Sequence, residues 1–115
     1  MRLLRAETYW AGLLAFAYVR KELAIDPDQL KSKRRHAPLV RARALFTWIM
    51  RNHTGAPPAS YPTIGELLGA RDHATIINSA NTAAILRDHD PAFATLCARF
   101  TDFLAESAEP QGAVQ

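Results

Sequence analysis

The chain has 115 residues and a single cysteine, is 49% hydrophobic and 22% charged, and carries 14 Lys and Arg against 11 Asp and Glu. That length accommodates one domain and leaves no room for a second of ordinary size, and the apolar content excludes wholesale disorder. A lone Cys97 excludes an internal disulfide and a multi-cysteine zinc site, and no G-x-x-x-x-G-K-[ST] string offers a phosphate-binding loop. The charge is unevenly spread. Residues 31–52 hold seven cations, Lys31, Lys33, Arg34, Arg35, Arg41, Arg43 and Arg51, and no acid, so the rest of the chain is net acidic. Such clustering repels itself unless a solvated face or a polyanion accommodates it, and its density favours nucleic acid.

The first element in chain order is a helix over about residues 4–24. Its basic start and the apolar residues 10–19 superficially resemble a secretion signal. The apolar stretch is too short for a bilayer, which needs roughly 20 residues. Glu7 interrupts it, and Arg20, Lys21 and Glu22 stand where a cleavage site would lead out, so no membrane role is expected. The middle is apolar almost all round, which predicts burial on more than one side, across the domain or against a second copy. A homodimer through residues 4–24 fits this pattern, because Trp10, Leu13, Leu14, Phe16 and Tyr18 cover several helix faces.

Pro27 ends that helix, and Asp26 is placed to cap a short turn reaching Leu30. Residues 31–37 show no apolar periodicity and read as a basic loop. From Pro38 to about Asn52, Leu39, Val40, Ala42, Leu45, Phe46, Ile49 and Met50 recur at spacings of three and four, predicting an amphipathic helix. Residues 55–60 are a loop by composition. A short helix over about 62–68 follows, with Thr63 and Glu66 at capping-box spacing. Gly69, Ala70 and Arg71 form a tight turn, and Asp72 is the expected N-cap of a helix over about 73–88. Asp90 and Pro91 open a last helix to about Glu106, with Phe93, Leu96, Cys97, Phe100, Phe103 and Leu104 as its apolar stripe. The tail 107–115 is expected to be disordered. No strand alternation is visible, so the fold class is all-α, with five to six helices in one domain over residues 1–106.

The short helix, glycine turn and longer helix over 62–88 make a helix-turn-helix pattern. In that motif the first turn of the second helix enters the major groove. Here it offers Asp72, His73, Ala74 and Thr75, with Asn78 one turn later. A carboxylate accepts from cytosine N4, a threonine methyl packs on thymine, asparagine pairs with adenine, and neutral histidine donates or accepts according to its tautomer. Periodicity alone leaves open an ordinary helical hairpin in which Asp72 only caps.

Ser32-Lys-Arg-Arg35, Arg41-Ala-Arg43, Tyr61-Pro-Thr-Ile-Gly65 and Gly69-Ala-Arg-Asp-His-Ala-Thr-Ile76, in that order, resemble the C-terminal DNA-binding domain (domain IV) of the bacterial replication initiator DnaA, a Trp-repressor-like helix-turn-helix fold. The resemblance covers roughly residues 14–104. It implies that Arg35 of the basic loop enters the minor groove, and that Tyr61 and Pro62 touch DNA. It further implies that Asp72, His73, Ala74 and Thr75 read the major groove, with Lys33, Arg34, Arg41, Arg43 and Arg71 contacting phosphates or holding the motif in place. There are departures. Ala74 replaces the family's first threonine, Ala37 stands at an often cationic position, and the loop 54–60 carries an insertion. No segment resembles the initiator's AAA+ ATPase domain, so a stand-alone domain without a nucleotide switch is expected.

The resulting expectation is sequence-specific binding of double-stranded DNA at a DnaA-box-like site, regulating replication initiation or transcription from a cytoplasmic, nucleoid-associated location, in a bacterium or phage. The alternative is a protein–protein adaptor of the replication machinery that uses the apolar N-terminal helix. No cofactor, nucleotide or metal is expected. An enzyme is not expected either: His36, His53, His73 and His89 lack HExxH spacing, and Cys97 falls on an apolar stripe.

Overall fold

The computed structural model describes residues 6–52 and 58–108. They form the helices α1 (Ala6–Leu23), α2 (Pro27–Lys31), α3 (Ala37–Asn52), α4 (Tyr61–Leu67), α5 (His73–His89) and α6 (Pro91–Ala108), and no strand occurs among the described residues. No helix among them is long and apolar enough to cross a membrane.

Side-chain oxygens beside prolines set several of the helix starts. Asp26 and Gln29 form a reciprocal capping box, the carboxylate accepting the Gln29 N–H at 3.2 Å and the Gln29 amide oxygen accepting the Asp26 N–H at 3.0 Å. For α4 the cap is Ser60, whose Oγ accepts the Thr63 N–H at 3.2 Å. The expected Thr63–Glu66 box is therefore replaced by a start one residue earlier, with Thr63 already inside the helix. Asp90 Oδ1 accepts from the N–H groups of Ala92 and Phe93 at 3.0 and 3.3 Å and so opens α6. Because α6 runs to Ala108, residues 107 and 108 are helical rather than tail. The remainder of the tail, His53 and residues 54–57 of the long loop lie outside the described residues.

The helix enclosed by the others is α3, in which every residue from Ala42 to Met50 is buried. Within one copy this differs from the sequence expectation. The helix read as amphipathic is surrounded, whereas α1, read as buried on several sides, has one buried face and leaves Tyr9, Trp10 and Leu13 exposed at 52, 63 and 40%. Arg43 and Thr47 break the apolar pattern of α3 and disguise its burial, while Ala42 and Ala44 are small enough to admit close neighbours. From α1, Phe16 meets Phe46 with ring centroids 4.5 Å apart, and Tyr18 meets Phe100 edge-on at 5.0 Å. The Tyr18 hydroxyl donates to the Leu96 carbonyl at 2.6 Å, and burial, helped by nearby Glu22, pushes its pKa to about 12. Burying each such side chain contributes about 1.5–3 kcal/mol.

The corner between α4 and α5 depends on backbone proximity. Arg71 N–H donates to the Gly65 carbonyl at 2.8 Å, and a Cβ on Gly65 would overlap the Arg71 carbonyl oxygen. Gly69 and Ala70 then take φ of 90° and 62°, the left-handed region that glycine enters most cheaply. Ile64, Leu68 and Ile76, all fully buried, lock the two helices together.

Gly65→Ala should therefore cost about 1–3 kcal/mol by urea unfolding, as overpacked sites do. Gly12→Ala is the control, since its Cβ would meet only the Leu67 methyls at 3.3 and 3.4 Å. It should fall within about 1 kcal/mol of the parent, because alanine is favoured in a helix by that amount. Equal losses at the two sites would contradict this view of the corner. Cys97, buried with its thiol pushed up to about 11 by burial, should resist thiol reagents in the folded chain at mildly alkaline pH and react on denaturation. Rapid labelling of the native protein would show the α6 stripe to be open.

Candidate nucleic-acid interface

The basic loop between α2 and α3 has its shape imposed from outside by two arginines. Arg43, on α3 and only 6% exposed, donates from Nε to the Leu30 carbonyl at 2.9 Å, from Nη1 to Arg34 at 2.7 Å and from Nη2 to Ser32 at 2.8 Å. Arg71, from the α4–α5 turn, adds a hydrogen bond from Nη2 to the Ser32 carbonyl and a longer one to Leu30 at 3.4 Å. Ser32 Oγ donates to Gln29 O at 2.7 Å and closes the end of α2. Carbonyls that the loop could not pair internally are thus held by guanidinium forks.

These guanidiniums bond to carbonyl oxygens, not to carboxylates. Burial and then the neighbouring Arg71 and Arg35 hold the Arg43 pKa below its usual value, and burial and Arg35 do the same to Arg71. Among the described residues no acid is bonded to these three cations, which creates a strongly positive wall attractive to an anion. Arg71 Nε is buried with no hydrogen-bond partner.

A groove runs from this wall to the start of α5. One concavity, of about 360 Å³, lies between Lys31, Lys33 and Arg35 of the loop and Arg71, Asp72 and Thr75 of the helix-turn-helix. It continues through Arg35, Arg71 and Thr75 into a second, of about 210 Å³, floored by Val40 and flanked by Asn78, Ser79 and Thr82. Loop and recognition helix therefore share one surface.

At the head of α5, Asp72 sits at the N-cap position with extended backbone, but its side chain makes no capping hydrogen bond. The expectation that it caps is corrected: the carboxylate is 69% exposed and lies 3.7 Å from His73 Nδ1, itself on a side chain 62% exposed. Ala74 and Asn78 are exposed and Thr75 is half-buried. The N-terminal turn of α5 thus presents an exposed carboxylate beside an imidazole, with a methyl and a hydroxyl. Pro62 is exposed at the start of α4, and Tyr61 is half-buried beneath the Arg51 guanidinium, 4.6 Å from its ring centroid.

The structure brings Lys33, Arg35, Arg71, Asp72, Thr75 and Asn78 to the groove, while His73 and Ala74 are exposed on the same first turn of α5 but do not line it. Arg43, although buried, also lines the second concavity, where it supports the loop. Arg34 is on the loop, but its side chain borders a separate concavity on the α2 side, with Ile25, Gln29 and His36. Arg41 is not at the groove. It pairs with Asp90 at 3.2 Å and lies over the Phe93 ring, at the end of α5 opposite the recognition turn. Lys31, Ser79 and Thr82 were missed in the sequence, although the four-residue spacing Thr75–Ser79 and Asn78–Thr82 places both later residues on the groove side of α5.

The family described as "Bacterial dnaA protein helix-turn-helix" matches residues 16–82, more than half of the chain. Among curated relatives, the chromosomal replication initiator protein DnaA of Sphingopyxis alaskensis is 36% identical over 66 residues, 57% of this chain and 14% of that protein. The protein of the same name from Geobacter metallireducens is 38% identical over 73 residues, 64% of this chain and 16% of its own. That from Porphyromonas gingivalis is 28% identical over 87 residues, 76% of this chain and 18% of its own. The chain thus spans less than a fifth of the length of these relatives. No solved structure matches. The matched stretch contains the arginine-held loop, the α4–α5 corner and the recognition turn, and the chain belongs to the bacterial DnaA helix-turn-helix family.

Proposed function

We propose that this protein binds double-stranded DNA sequence-specifically and acts in the control of replication initiation or of transcription. The observation that carries the reading is the single groove shared by the basic loop and the exposed first turn of α5. On a duplex, Arg35 enters the minor groove, where a guanidinium reads width and potential, while the α5 turn enters the adjacent major groove. Asp72 accepts from a base amino group such as cytosine N4, Ala74 packs a methyl on thymine, and Thr75, Asn78 and His73 complete the polar readout. Lys33 faces phosphate, with Tyr61 and Pro62 at the edge of the contact. Arg43 and Arg71 act through the loop they hold, as positioning residues.

The relatives are named as chromosomal replication initiators, which favours a site resembling the boxes such proteins bind. Affinity for a box-containing duplex should exceed that for a scrambled one at physiological salt. The logarithm of affinity should fall with the logarithm of salt with a slope of roughly −4 to −6, at about −0.9 per phosphate neutralised. Equal binding to both duplexes would overturn the specificity.

Three substitutions separate the roles. Asp72→Ala should alter preference at one base pair by about 1–3 kcal/mol and leave stability nearly unchanged, because its carboxylate caps nothing. Loss of stability with unchanged base preference would return Asp72 to a capping role. Lys33→Ala should weaken all duplexes alike and flatten the salt slope by about one. Arg43→Ala should weaken DNA binding and also lower the urea midpoint, since the Arg34 carbonyl loses its guanidinium donor and those of Leu30 and Ser32 keep only Arg71, at about 1–3 kcal/mol for a polar group left unpaired. An Arg43→Ala chain of parental stability would refute the stapling role.

A further inference from the structure

The outer side of α1 serves neither the core nor the groove. Trp10 and Leu13 are exposed at 63 and 40%, and exposed Ala17 and Arg20 continue the same line. Residues 10, 13, 17 and 20 keep the three-and-four spacing of one helix stripe, opposite the face that buries Ala11, Ala15 and Val19. Tyr9, 52% exposed, sits on one flank with its ring against Trp10, centroids 6.0 Å apart. Large apolar groups gathered in this way mark a contact surface.

The stripe is polarised, with Glu7 and the two aromatic rings towards its start and Arg20 and Lys21 at its end. A second copy laid parallel would stack Trp10 on Trp10 and bring the basic ends together. Laid antiparallel about a two-fold axis near Leu14, it sets Trp10 of one copy on the small Ala17 of the other. In the same register the Tyr9 ring meets the Arg20 guanidinium and Glu7 meets Lys21. Glu7, Leu14 and Lys21 are seven residues apart and share a flank, and antiparallel helices related by a two-fold bring like flanks together. Beside Ala17 a recess of about 520 Å³, lined by Leu13, Phe16, Arg20 and Pro27, lies where the incoming Trp10 would seat. Lys21 lies over the Phe103 ring at 5.4 Å and reaches Glu106 at 3.8 Å, yet its side chain stays half-exposed at the edge of this face.

We propose that α1 is a self-association element through which two copies of this chain pair antiparallel, Trp10 of each filling the recess beside Ala17 of the other. This pairing does not rest on the DNA-binding reading, and its test contains no DNA.

Sedimentation of the full chain over rising concentration should show the mass climb from 12.8 kDa towards twice that value. Trp10→Glu should hold it at the monomer mass with unchanged helical circular dichroism, since Trp10 is exposed, and Leu13→Arg should do the same. For orientation, chains carrying Glu7→Cys and Lys21→Cys should cross-link when mixed under mild oxidation and far less when each is alone. The buried Cys97 adds little background. A monomer at every concentration, a dimer unmoved by both variants, or preferential linkage of Glu7→Cys to itself would overturn the proposal.

Discussion

The recognition surface depends on the guanidinium of Arg43. One side chain, buried in the helix that the others enclose, binds the carbonyls of Leu30, Ser32 and Arg34, and Arg71 reinforces it from the opposite side of the loop. Burying a cation is costly unless its donors are met, and here they are met by the carbonyls of Leu30, Ser32 and Arg34, two of which Arg71 also reaches. The same bonds solve two problems, because the loop gains a fixed shape and the core gains a satisfied polar group. They also leave the positive charge uncancelled, since no carboxylate among the described residues is bonded to Arg43 or Arg71.

That uncancelled charge gives the second constraint its meaning. The α4–α5 corner is set by the close approach of Gly65 to Arg71, and Arg71 at once reaches back to the basic loop. One residue therefore ties the angle of the helix-turn-helix to the position of the loop. On the proposed reading the α5 turn and Arg35 must keep their spacing to fit one duplex, and this link is a physical means of keeping it. At the tip, Asp72 forgoes the capping bond that would stabilise α5, which leaves its carboxylate available to a ligand.

Much of this was legible in the sequence, for definite reasons. Asp26 with Pro27, and Asp90 with Pro91, are strong local signals, and the helices that follow them start where these residues stand. The string Gly69-Ala-Arg-Asp-His-Ala-Thr-Ile76 located the turn and the head of α5. What was hidden is tertiary. Nothing local distinguishes Arg43, buried under a loop, from Arg41, tied to Asp90, or either from Arg35 at the groove. Which of α1 and α3 is enclosed within one copy was hidden because periodicity reports apolar content and not how many neighbours an element has. Asp72 matched the cap preference so well that its missing bond could be seen only in the structure. Gly65 reads as an ordinary helical glycine until the Arg71 carbonyl is placed beside it.

The central claim is that loop and recognition turn form one DNA-reading face. The most direct test is a backbone amide NMR titration of the full chain with a duplex recovered by selection from a random pool. The account predicts that the largest shifts fall together, at substoichiometric duplex and with one saturation curve, on residues 31–35 and 71–79, leaving the Arg41–Asp90 end of α5 quiet. Shifts centred on α1 or α6, or loop and turn titrating with separate curves, would contradict it.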